Sequence, residues 1–339
     1  VSADRPPDRF PDRPAPRSAG RPAVRFAVLG DSLSEGVGDP LPGGGWRGWA
    51  ALLAEGIAGR PQDTAVVNAA WSGARTGDVA GPQLAAALRH RPQLASVLAG
   101  GNDTLRGNFA IEAVAGDLHR AIGTLRAAGA DVLTACLPDP GSVLNLPWPL
   151  ARPLERRMRA LNDTVHALSA HHGAIHVHAA DHPWTTKPGA LSADRLHPSE
   201  IGHRLLARDF HTRLTAAGIA TGPAPRCEPA GAPPGPASSV WWMATRGTRW
   251  VADRCTDLLP DLLRLAWEEY RHHSRGTAPL LDLAAAEATA RALADLGLVS
   301  GPVDHTRRVE RTGTKRILVP GGDWAAAGSE PSGTTPITG

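Results

Sequence analysis

Between residues 23 and 218, short apolar runs alternate with longer stretches in which apolar residues recur every three or four positions. The runs predict strands at about 24–29, 64–69, 94–99, 130–136 and 174–178, and the periodic stretches predict helices at about 46–58, 78–90, 109–128, 152–171 and 199–216. Pro198 precedes the last helix, and Ser199 and Glu200 open its first turn. Five alternating units argue for an α/β domain over 23–218, a doubly wound parallel sheet covered on both faces. About 195 residues suffice to bury a full core.

Outside that region the pattern changes. Residues 1–22 carry Arg5, Arg9, Arg13, Arg17 and Arg21, but Pro6, Pro7, Pro11, Pro14 and Pro16 forbid the helix that this spacing would suit. A solvated, disordered tail is expected. Residues 219–238 are rich in Pro, Gly and Ala and read as a linker. Over 239–320 a mainly helical extension is expected. Its first amphipathic stretch runs from about 240 to 273, with apolar Trp241, Val251, Cys255, Leu258, Leu262 and Leu265, and with Pro260 kinking it or dividing it in two. A second helix spans about 280–296 and stops at Gly297. Residues 303–311 and 315–319 read as a hairpin, and 321–339 as a disordered polar tail.

The stretch Gly30-Asp31-Ser32-Leu33-Ser34-Glu35-Gly36 follows the first strand. A serine just past the C-terminal end of a strand in such a sheet sits where ligands bind. On its own, Asp31 or Ser32 could equally be a helix cap. Three more stretches bear on the choice: Asn68-Ala69-Ala70-Trp71-Ser72-Gly73, Gly100-Gly101-Asn102-Asp103 and Asp194-Arg195-Leu196-His197-Pro198. Singly, Gly73 could be a turn glycine, Asn102 an Asx-turn residue and His197 a surface histidine beside a helix. A serine nucleophile needs a base, imidazole titrates near the working pH, and a carboxylate three residues earlier is close enough to orient it. Taken together, the four blocks resemble the SGNH hydrolases, also called the GDSL esterase/lipase family, over about residues 22–218. Ser32, Gly73, Asn102 and His197 fall on the four letters in order. The resemblance implies a flavodoxin-like strand order 2-1-3-4-5. It also implies Ser32, Asp194 and His197 as the catalytic triad, and an oxyanion hole made by the Ser32 N–H, the Gly73 N–H and the Asn102 side chain. Asp31 would orient the nucleophile turn.

Trp71 sits beside Gly73. The apolar, Pro-rich loop around Leu146 and Trp148 follows the fourth strand, so Trp71, Leu146 and Trp148 are candidate substrate-binding residues. His171, His172, His176, His178 and His182 form a histidine-rich stretch in which His176 and His178 share one strand face. No Cys or Glu nearby in sequence completes a ligand set, so neither a metal nor a cofactor is expected.

The hydrophobic fraction of 42% and mean hydropathy of −0.20 are those of a water-soluble globular chain, and no run is long enough to span a membrane. The net charge of +3 over 339 residues is too mild to imply a nucleic-acid surface. The 280–296 helix, with Asp282, Glu287 and Asp295 against Arg291, would repel phosphate. Asp253, Asp257, Asp261, Glu268 and Glu269 make the preceding helix too acidic for anionic lipid. Cys136, Cys227 and Cys255 are widely spaced and odd in number, which points to a reducing compartment. With no apolar core after the basic start, a cytoplasmic location is expected, a leader removed upstream of Val1 being left open. The expectation is a serine hydrolase that cleaves a small carboxylic ester through an acyl-enzyme. An acyltransferase using the same intermediate, or an idle member acting as a binding module, are the alternatives. The C-terminal helices are expected to pack on the hydrolase domain or on a second copy as a homodimer.

Overall fold

A computed structural model describes residues 24–182, 185–192, 194–229 and 248–298, with the side chains of 248–257 left aside. The expected tails, the 303–319 hairpin, Trp184, Trp241 and Trp242 lie outside the described residues. Five strands form one sheet: β1 (Val24–Gly30), β2 (Thr64–Asn68), β3 (Leu94–Leu98), β4 (Asp131–Ala135) and β5 (Ile175–Val177). Their order is β2-β1-β3-β4-β5, and every pairing is parallel. Phe26 stands opposite Val66 on one side and Leu94 on the other. β1, β3 and β4 are the inner strands. Phe26–Gly30 and all of β3 are buried, as near-continuous apolar runs should be when both faces are covered.

The helices follow in chain order. α1 (Ser32–Glu35) and α2 (Gly48–Ile57) come after β1. After β2 comes α3 (Thr76–Asp78), which leads through a π-helical Val79–Gln83 into α4 (Leu84–His90). α5 (Gly101–Thr104) and α6 (Ile111–Ala127) follow β3, α7 (Pro140–Val143) and α8 (Trp148–His172) follow β4, and α9 (Glu200–Ala216) closes the α/β region. Side-chain alternation along the strands divides the core between the two faces. Ala27, Leu29, Ala95 and Val97 pack with α4, α6 and α8. Phe26, Val28, Leu94 and Leu98 pack with α2 and α9. On that second face Trp49 stacks on Phe210 with ring centroids 4.8 Å apart. The chain reverses direction between β1 and β3, and the crevice at their C-terminal ends is where open sheets of this kind bind ligands.

Two buried polar devices join distant elements. His203 on α9 accepts from the Trp49 N–H through Nδ1 (3.1 Å) and donates from Nε2 to the Val37 carbonyl (3.0 Å). It thereby links α9 to the loop after α1. The second device holds the C-terminal helices, α10 (Thr248–Ser274) and α11 (Ala278–Asp295). α10 is one continuous helix with Pro260 inside it, not two. Both pack on α8, and α11 also packs on α6, so the extension docks on its own chain. Leu258, Leu262 and Leu265 lie on the half-buried side of α10, while Leu259, Leu263, Trp267 and Tyr270 stay exposed. Glu269 is buried and receives Arg156 of α8 at 2.9 Å; Arg156 also reaches Asp282 of α11 at 2.7 Å.

Two outcomes follow from these buried groups. Free imidazole takes up a proton near pH 6.5, whereas burial holds His203 neutral in the fold down to about 4. The unfolded chain therefore binds the extra proton as pH falls through this window. Stability present above pH 6.5 is lost on the way to pH 4, by up to about 3 kcal/mol. In urea melts, His203→Gln should be less stable than the parent at neutral pH, and the gap should narrow on acidification. A pH-independent gap would contradict a buried neutral His203. Separately, Glu269→Ala leaves Arg156 with Asp282 alone and should cost about 3 kcal/mol. Hydrogen exchange should then quicken in α10 before it does in the sheet.

Candidate active site

Ser32 lies two residues beyond β1, at the first position of α1. The turn is built by neighbours on both sides. Gly30 has φ of 150°, and a Cβ there would come within 2.3 Å of the Leu98 carbonyl oxygen and 2.5 Å of Ser34 Oγ. Its main chain is held by Gln83, a buried side chain from the π-helical stretch. The Gly30 N–H donates to Gln83 Oε1 (2.8 Å), and Gln83 Nε2 donates back to the Gly30 carbonyl (2.9 Å). Asp31 caps α1 by accepting from the Leu33 N–H (3.1 Å). Burial pushes its carboxyl up to about 6, against the pull of the Leu33 N–H and of His197.

The structure brings Ser32, Asp194 and His197 together. His197 Nε2 is 2.7 Å from Ser32 Oγ, and His197 Nδ1 is 2.6 Å from Asp194 Oδ2. With Nδ1–H donating to the carboxylate, Nε2 carries the lone pair and Ser32 donates its hydroxyl proton to it. His197 is 5% exposed. The segment around it is wound about Asp194. Oδ1 accepts from the Leu196 N–H (2.9 Å), the His197 N–H (3.0 Å) and the Ser192 hydroxyl (2.6 Å). Arg195 takes φ of 55° so that the chain can bend around the carboxylate, an uncommon conformation for a residue with a Cβ. Burial alone would raise the Asp194 carboxyl. The hydrogen bond and charge of His197, with these other donors, hold it well below the usual carboxylate range.

Gly73 lies on the loop after β2, and Asn102 is the second residue of α5, the short helix after β3. Gly73 has φ of 84°, which favours glycine. Asn102 Nδ2 donates to the Ala74 carbonyl (3.0 Å), so the loop after β2 is tied to α5 at that point, and one amide proton remains for another acceptor. Asp103 accepts from the Thr76 N–H and hydroxyl, both at 3.1 Å, which joins α5 to α3 beside it. A cleft of about 290 Å³ adjoins this corner, lined among others by Arg75, Asp103, Arg106, Phe109 and Asp117.

Trp71, Leu146 and Trp148, the expected substrate-binding residues, are placed as follows. Trp71 is 39% exposed, next to Ser72, whose hydroxyl donates to Glu35. Leu146 is half-buried in the turn before α8. The Trp148 ring rests 4.6 Å from His273 and 6.3 Å from Tyr270 of α10. The histidine stretch divides into two clusters. His119 joins His171 and His172, while Cys136 and His166 join His176 and His178. The expectation that nothing completes a ligand set is therefore corrected. The three added residues are His119 on α6, Cys136 just after β4 and His166 on α8. Gln83 and His203 were likewise missed, because neither has a local pattern that marks its partner.

A model of the GDSL-like lipase/acylhydrolase family matches residues 28–205. An arylesterase of Vibrio mimicus is 34% identical over 111 residues, which are 32% of this chain and 52% of that protein, so the match spans about half the length of that curated relative. Among solved structures, the lipase/acylhydrolase of Enterococcus faecalis is 21% identical with a TM-score of 0.46, covering 57% of this chain and 96% of its own. A psychrotrophic esterase of Pseudoalteromonas sp. is 20% identical with a TM-score of 0.46, covering 57% and 98%.

Gln83 offers a test of how the serine is held. Gln83→Leu keeps a similar volume but leaves the Gly30 N–H and carbonyl buried without partners. The expected loss is about 2–4 kcal/mol in stability. Slower labelling of Ser32 by an active-serine phosphonate should accompany it in the fraction that remains folded. Unchanged stability and labelling would mean that the amide pair does not position the turn.

Proposed function

The chain belongs to the GDSL-like lipase/acylhydrolase family, and on that premise we propose that it cleaves a carboxylic ester through an acyl-enzyme on Ser32. The observation that carries this reading is the continuous relay from Ser32 Oγ through His197 to Asp194, at 2.7 and 2.6 Å. Ser32 Oγ attacks the ester carbonyl carbon as His197 Nε2 takes its proton. Asp194 holds the ring in the tautomer this requires and stabilises the imidazolium. Negative charge gathers on the former carbonyl oxygen, where the main-chain N–H groups of Ser32 and Gly73 and the second amide proton of Asn102 act as donors. Collapse breaks the C–O bond to the alcohol, which leaves with the proton from His197 Nε2. Water then repeats the sequence on the acyl-enzyme, giving its proton to His197, and the carboxylic acid departs as Ser32 is reprotonated.

An alcohol in place of water would make the same intermediate an acyl-transfer donor. Ser32 is only half-buried, and water in excess favours hydrolysis. The intact relay speaks against an idle binding module. Similarity to an arylesterase makes phenyl and nitrophenyl esters the first substrates to try.

The test is a panel of nitrophenyl esters of increasing acyl length, assayed with and without added alcohol. Ser32→Ala should lower kcat by about 10⁴-fold or more, and an active-serine phosphonate should label Ser32 alone. Asn102→Ala should lower kcat by roughly 10²–10³-fold with KM little changed, because its donor acts in the transition state. Turnover undiminished in Ser32→Ala, or labelling of another serine, would overturn the assignment. A raised KM with unchanged kcat would make Asn102 a substrate-binding residue instead.

A further inference from the structure

We propose that Cys136, His166, His176 and His178 form a binding site for a divalent metal ion of the zinc class, separate from the Ser32 relay. One ligand atom from each of the four lies within 4.8 Å of all the others. Tetrahedral zinc, with bonds of about 2.0–2.3 Å, needs ligand atoms roughly 3.3–3.8 Å apart, so closure asks for side-chain movement of about an ångström or less. The residues come from three elements that converge at one end of the sheet. Cys136 follows β4, His176 lies on β5 with His178 just beyond it, and His166 projects from α8. The imidazoles stand close, with ring centroids 4.7 Å apart for His166 and His176, 4.9 Å for His176 and His178, and 5.1 Å for His166 and His178.

The hydrogen bonding around His176 fixes which nitrogen faces the cluster. The Ser169 hydroxyl donates to the Val165 carbonyl (2.6 Å), so its oxygen is left to accept from the Thr134 hydroxyl (2.7 Å). The Thr134 oxygen, having given its proton away, accepts from His176 Nδ1–H (3.0 Å). His176 Nε2 therefore carries a bare lone pair, and it is buried with no hydrogen-bond partner. His166 Nε2 is buried and without a hydrogen-bond partner too. Two orphaned ring nitrogens facing one thiol and a third imidazole are costly in an apolar setting and are the arrangement a metal ion satisfies. Burial keeps both rings in the neutral form a metal needs, His176 down to about 3 and His166 below its ordinary value. The Cys136 thiol is pushed up by burial, and on binding it gives its proton to solvent as the metal–sulfur bond forms. His178 is exposed, which leaves an entry path.

An S/N₃ donor set suits zinc, and cobalt(II) as its spectroscopic substitute. Four protein ligands make a closed, structural site. Its position gives it a task. β5 is a three-residue edge strand, and the segment leaving it carries Asp194 and His197. A metal here would pin β5 to β4 and α8 at the root of that segment. The other histidine cluster is a poorer candidate, since His172 Nε2 and His119 Nδ1 are already bonded to each other at 3.1 Å.

The experiment uses the full chain, stripped with a chelator and dialysed against zinc. Elemental analysis should find about one zinc per chain, and zinc should raise Tm by roughly 5 °C. Cobalt(II) should give tetrahedral d–d bands and a thiolate charge-transfer band. Cys136→Ser should abolish the charge-transfer band and weaken zinc binding at least about 10-fold. His178→Gln alters an exposed residue and should weaken binding likewise if Cys136→Ser fails to fold. Thr134→Val, which removes the acceptor of His176 Nδ1–H, should cost about 10-fold or more in affinity with all four ligands present. His119→Gln should change nothing. No stoichiometric zinc, equal uptake by His178→Gln, or loss of uptake only in His119→Gln would each overturn the proposal.

Discussion

Within two residues the chain must leave a strand buried on both faces and present a half-exposed serine. Much of the site depends on how that transition is made. A side chain at Gly30 would collide with the Leu98 carbonyl of the neighbouring strand. The backbone there is also too deep for water to satisfy, so Gln83 supplies both a donor and an acceptor. Asp31 then caps the single helical turn that carries Ser32. The nucleophile is thus aimed by main-chain constraints set before its own rotamer matters.

The partner segment works on the same principle with a different anchor. Asp194 gathers a hydroxyl and two main-chain N–H groups on one oxygen and gives the other to His197. The left-handed Arg195 is the local cost of that winding. A carboxylate so well supplied with donors stays ionised, and an ionised Asp194 favours His197 at the moment it takes a proton. Its low pKa and the shape of the segment have one cause.

Much of this was legible in the sequence where the signal is local or periodic. All five strands lie within a residue or two of their expected spans, because buried parallel strands read as uninterrupted apolar runs. Asp194 and His197 sit three apart, so a short turn suffices to join them. What the sequence concealed depends on long-range closure. Gln83 meets Gly30 across 53 positions, and His203 meets Trp49 across 154. Cys136 and His166 become neighbours of His176 only when β4, β5 and α8 have packed. Pro260 suggested a break, yet α10 runs through it, with α8 packed alongside. Trp148 also stands beside Tyr270 and His273 of α10, a proximity that its loop's own sequence does not announce.

The docking of α10 and α11 separates two kinds of boundary. The family match ends at residue 205, in the middle of α9. Phe210 and Leu214 of that helix belong to one buried cluster, and Ala292, Leu293 and Leu298 from the far end of the chain belong to the other, alongside Ile122 and Leu125. A family boundary records what related sequences share. A folding boundary lies where few contacts cross, and among the described residues α10 and α11 stay packed on α8 and α6. The helices beyond the family match cover α6 and α8, which in turn cover the sheet, so the family module and the packed body of this protein have different limits.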